Sequence, residues 1–246
     1  MIDSLYAQPK ERIVYGKGNW VEGIEGKEGV VAQGARVASL AEFQEERANL
    51  KDRGRNITGR IATGIAVIPK GALFGTNAEL QTRIVQRGLC LINPIRAVQA
   101  NSNGKWYGPC DEKPEEIARC LDRNVIIDEY LDNGKNYKTL ELRFDEADRS
   151  LRDVFEILYG RIPGRQETGE QIRQRVKKAV SYLEEESKRE SINLYVPVQE
   201  AVDNSNLQGQ RIIGTQLWVG GADVEFDLDG YNRVLNIASG VFGVKD

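Results

Sequence analysis

The sequence predicts an α+β fold: antiparallel hairpins, forming a sheet or small barrel, packed by a helix pair near 146–189, with an extended glycine-rich N-terminal arm. Three observations predict it. The apolar period is two in 58–68 and helical in 146–189. Two stretches, LDNGKNYKTL at 131–140 and LDGYNRVLN at 228–236, set turn residues between apolar positions, as hairpins require. Strand and helix signals do not alternate regularly, which argues against a doubly wound parallel sheet.

Residues 1–38 carry Gly16, Gly18, Gly23, Gly26, Gly29 and Gly34 between short apolar pieces. Glycine is costly to order, so this stretch reads as an arm outside a single domain of 39–246. Trp20 is its candidate anchor on a partner. Gly23, Gly26 and Lys27 miss the spacing of a phosphate loop, and Gly16-Lys17-Gly18 lacks the third glycine of a dinucleotide fingerprint.

Ser39 and Glu42 form a capping-box pattern that opens a helix over 39–52. Ile61, Thr63, Ile65 and Val67 alternate as a half-buried strand, which Pro69 and Gly71 end. Arg83 to Val98 is a second strand-rich stretch interrupted by Pro94. Residues 101–108 form a turn-rich loop bearing Trp106 and Tyr107. Pro114 starts a short helix over 114–121. Residues 125–131 and 137–144 form a hairpin that turns at Asp132-Asn133-Gly134.

The helix pair follows. Asp145 is of the N-cap type, and Leu151, Val154, Phe155 and Leu158 make one stripe. Gly160, in a left-handed conformation, ends this helix before Pro163. Thr168 and Gln171 box the second helix, whose Ile172, Val176, Ala179, Val180 and Leu183 share a face. Its charges run against the dipole: Arg173, Arg175, Lys177 and Lys178 come early, and Glu184, Glu185 and Glu186 come late. Strands over 192–198 and 211–219 come next. A closing hairpin alternates Val224, Phe226 and Leu228, turns at Asp229-Gly230 and returns over 231–237.

Composition narrows the chemistry. The 246 residues contain no histidine, which removes His-based nucleophile activation, His metal sites and the commonest general base. Cys90, Cys110 and Cys120 have no C-x-x-C spacing, so free thiols are expected, with no metal or cofactor. No apolar run approaches the ~20 residues that span a bilayer. The N-terminus lacks the pattern of a secretory signal, so a cytoplasmic location is expected, without membrane partners. Between Arg53 and Lys105 eight basic residues face one acid, Glu79, whereas 111–156 is rich in Asp and Glu.

These features favour a non-enzymatic structural or connector subunit of a large assembly, of the kind found in virus particles, phage tails or injection machines. Its partners would be copies of itself or other subunits, because arms, strand edges and opposed charges are joining devices. The candidate interface residues are Trp20, Arg53, Arg55, Arg60, Trp106, Tyr107, Arg161, Arg165, Arg173 and Arg175. The alternative is a nucleic-acid-binding subunit of a ribonucleoprotein, using basic segment 53–105 with Trp106 and Tyr107 as stacking platforms. The net charge of -3 weighs against it. A third reading is a carboxylate-dependent metal enzyme using Asp128 and Glu129, or Asp223, Glu225 and Asp227, which strand alternation would put on one face.

Overall fold

The computed structural model describes residues 12–18, 20–50, 59–68, 78, 82, 89–93, 108–109, 125–126, 132–133, 137–162, 165–197, 213–219, 226–229 and 240–245. Its strands are β1 (Ile13–Gly16), β2 (Arg36–Val37), β3 (Gly59–Ile68), β4 (Leu89–Asn93), β5 (Gly108–Pro109) and β6 (Val125–Ile126). Then come β7 (Asp132–Asn133), β8 (Tyr137–Arg143), β9 (Ser191–Pro197), β10 (Ile213–Val219), β11 (Leu228–Asp229) and β12 (Val241–Val244). The helices are α1 (Trp20–Glu25), α2 (Leu40–Leu50), α3 (Arg152–Phe155) and α4 (Gly169–Ser187). Among the described residues, no helix is long and apolar enough to cross a membrane.

The strands join one open sheet in the order β1-β12-β3-β10-β11-β9-β8-β7, so the described strands make a sheet and no closed barrel. Most neighbours are antiparallel, as expected, but β12 meets β3 and β11 meets β9 in parallel. The hairpin expected over 125–144 is corrected in part. Asp132 and Asn133 pair with Thr139 and Lys138 as strand instead of forming the turn, and Val125–Ile126 pairs with β4.

One face of the sheet is covered by α2, α3 and α4. Leu140, Leu142, Ile192, Leu194 and Val196 from β8 and β9 are buried with Phe43 of α2, Phe155 of α3 and Leu183 of α4. Helix α2 opens with the predicted capping box: Ser39 N–H donates to Glu42 Oε2 at 3.1 Å, and Glu42 N–H donates to Ser39 Oγ at 3.4 Å. Thr63 Oγ1 of β3 accepts from Leu40 N–H at 2.8 Å, fixing the start of this helix to the sheet.

The first helix of the pair begins later than Asp145. Buried Phe144 holds a short 3-10 turn, Phe144–Glu146, and Asp145 accepts from Arg143 Nε at 3.2 Å instead of capping helical amides. Regular helix starts at Arg152 and passes into a π turn, Glu156–Gly160, closed by Arg161 N–H to Glu156 O at 2.8 Å. The predicted stripe of Leu151, Val154, Phe155 and Leu158 is buried. Gly160 does end the helix, but not through a left-handed backbone. A Cβ there would stand 2.7 Å from Ile172 Cγ2 and 2.9 Å from Val176 Cγ2, so glycine is needed for the close approach of α4. The α4 capping box forms as predicted.

The extended arm expected for 1–38 is corrected over 13–38, which folds back on β12. Strand β1 pairs with β12 from Ile13↔Val244 to Gly16↔Val241, and Val14, Val30 and Val241 make a small second core. The glycines serve close contact. A Cβ on Gly16 would lie 1.8 Å from the Gly23 carbonyl oxygen.

The expected alternation through Val224, Phe226 and Leu228 fails at Phe226, which has φ 61 and belongs to no strand, although Phe226 and Leu228 are both buried. The remaining strands and helix expected over 83–88, 94–98, 114–121 and 231–237 lie outside the described residues.

Candidate interaction surface

The corner between α3 and α4 is built around two internal clasps. Glu156, 8% exposed, receives Arg152 Nε at 3.0 Å and Arg161 Nη2 at 3.3 Å. Glu167 accepts from Ile162 N–H at 3.2 Å and from Arg175. Arg175 also donates to the Gly160 carbonyl and lies 3.6 Å from Glu45 of α2. A charged group held this far from water needs such partners. Arg175, one of the expected interface residues, thus makes its contacts inside the fold.

Arg161, Arg165 and Arg173 are exposed. Trp20 opens α1, and Arg60 lies in β3 opposite Trp218 and Val241. Arg53, Arg55, Trp106 and Tyr107 lie outside the described residues, as does most of the basic segment 53–105. So do Asp128, Glu129, Asp223 and Glu225. Asp227 accepts from Asn193 N–H at 2.8 Å, Tyr195 Oη at 3.1 Å and Arg189 at 3.5 Å. That arrangement latches β9 to the turn before β11. Among the described residues, no group of three or more Cys, Asp or Glu could hold a metal ion.

Beside the corner lies a groove of about 550 Å³ between 144–156 and the outer side of α4. Phe144, Ala147, Val176 and Val180 supply its apolar side chains. Arg149 and Arg152 stand on one wall, and Arg173 and Lys177 on the other. The acids Asp145, Asp148 and Glu156 line it too, each with an arginine partner: Arg143, Arg149 and Arg152 respectively. Phe144 and Val176 are buried, so the apolar surface the groove presents is that of Ala147 and Val180 among paired charges.

Behind this surface, α2 hides a residue that composition misplaces. Arg47 is fully buried, its guanidinium carbon 4.4 Å from the Phe226 ring centre and 5.6 Å from that of Phe43. Burial lowers its pKa to about 10, while Tyr182, Tyr159 and Glu186 act in the opposite direction. Burial likewise pushes the Tyr159 phenol above its ordinary value. The signal was present in the sequence: Arg47 falls four residues after Phe43 and seven after Leu40, on the apolar stripe.

No family model matches the chain, and no curated protein matches it. A solved structure described as "Accommodation of massive sequence variation in Nanoarchaeota by the C-type lectin fold" is similar, with TM-score 0.53 and 10% identity over 95% of each chain. At that identity the likeness is one of fold: an α+β architecture of the C-type lectin kind.

Proposed function

We propose that this protein is a non-enzymatic structural subunit that joins copies of itself through its helical corner. The observation that carries this reading is the α3–α4 groove, where the half-buried Ala147 and Val180, beside the buried Phe144 and Val176, lie among exposed charged side chains. Interfaces combine an apolar centre with a polar rim, and this groove has both. The missing histidine supports a non-catalytic role. So does the commitment of Glu156, Glu167, Arg175 and Asp227 to internal bonds. The similar structure is described as accommodating massive sequence variation. A core that keeps its shape while other residues change suits a subunit whose surface does its work.

Light scattering on the purified chain tests the proposal. A defined oligomer at low salt whose mass falls at high salt is expected, because exposed charge pairs are screened. A monomer at every concentration and salt overturns it.

A further inference from the structure

The inner and outer charges of α4 have different fates. Arg175 is bound to Glu167 and the Gly160 carbonyl, and Lys178 donates to Asn49 of α2 at 2.8 Å. Glu186 is half-buried and acts on Arg47. The helix's other charged side chains face outward. Glu170, Arg173, Lys177, Glu184, Glu185, the helix-ending Lys188 and the neutral Ser181 are all exposed, and Arg173 donates to Glu170 at 3.0 Å across the surface of the same helix. Spaced three or four apart, they make one stripe along the helix.

Read from either end, this stripe complements itself. We infer, resting on the proposed assembly role, that α4 is a twofold joint, on which α4 of a second copy lies antiparallel with Ala179 level with the axis. Glu170 then faces Lys188 of the second copy, and Arg173 faces its Glu185. Lys177 sits beside Ser181 and Glu184 of the second copy. A twofold axis makes every such contact occur twice, as in any interface formed by one patch on both subunits.

The same geometry accounts for a charge order that is unfavourable in the monomer. Glu170 in the first turn suits the helix dipole, but Glu184, Glu185 and Glu186 in the last turns oppose it. In the antiparallel pair, the acidic end of one helix lies against the basic, dipole-positive start of the other. Ser181 is small enough at the centre for close approach. Arg173 and Lys177 also rim the groove, so the second helix covers the half-buried Val180 beside them. Exposed ion pairs are individually weak, because water and salt screen them. The joint is therefore weak singly and sensitive to salt.

A charge swap tests the joint. One variant carries Arg173→Glu with Lys177→Glu, the other Glu184→Lys with Glu185→Lys. All four positions are exposed, and circular dichroism confirms that each variant folds. Wild type is expected to associate at low salt, each variant alone to lose that association, and an equal mixture to regain it as a pair of unlike chains. A mixture that stays monomeric while wild type associates overturns the α4 joint. Variants that assemble as wild type does also overturn it, and leave the wider assembly reading standing. Wild type that is monomeric throughout overturns both.

Discussion

A single buried carboxylate shows how a residue sets the fold's response to pH. Glu42 is 3% exposed. Burial by itself would raise its pKa, but the hydrogen bonds from Arg36 and from the Ser39 amide and hydroxyl outweigh this and hold it below the ordinary 4.5. A carboxylate with a depressed folded value contributes stability that is fully present above its unfolded value. That contribution is lost as pH falls through the folded one. Glu42→Gln is expected to lower stability at neutral pH by about 1–2 kcal/mol. The gap to wild type should close as pH drops below 4.5. Urea melts at several pH values measure this, and a gap independent of pH would refute it. The Ser39–Glu42 box was legible because its signal spans three residues. The role of Glu42 as acceptor for Arg36 was not, since that contact depends on where β2 brings its arginine.

At the scale of elements, signals confined to one turn or one strand were readable. The Thr168–Gln171 box, the burial of Ile61, Thr63 and Ile65 in β3 and the apolar face of α4 stand as predicted. The delayed start of α3 was not readable, because Asp145 suits a cap equally well as a partner for Arg143. Its outcome is decided by Phe144, which is buried in the core. Gly160 illustrates the same limit. A glycine at a helix end suggests a left-handed cap, yet its use here is to admit Ile172 and Val176. Gly160→Ala is accordingly expected to force α3 and α4 apart and to destabilise by about 1–3 kcal/mol. Thermal unfolding measures it, and a stabilised Gly160→Ala would show that the residue serves only as a stop. The candidate site divides along the same line. The exposed Arg173 could be read from helical spacing, whereas the clasp at Arg175 requires knowing that Gly160, Glu167 and Glu45 converge on it.

For the whole molecule, fold class was legible and connectivity was not. Pairings between distant segments, such as β12 with β3 and β11 with β9, leave no local mark. Nor did the glycine-rich start betray its partner, because β1 meets β12 from the opposite end of the sequence. That pairing brings Arg12 and Lys245 together, with Lys245 N–H donating to Arg12 O at 2.9 Å. Both ends of the described chain therefore leave the sheet from the same end of one ladder. Tension applied through them loads the β1–β12 bonds one after another, as a zipper is opened, and not all at once in shear. Single-molecule pulling on handles at both termini is expected to show a small, low-force release of 12–16 before the main core yields, and one undivided rupture would refute this. Within a tethered assembly, the first strand would then act as a mechanical fuse: it gives way early and lengthens the tether while the helical corner is still folded.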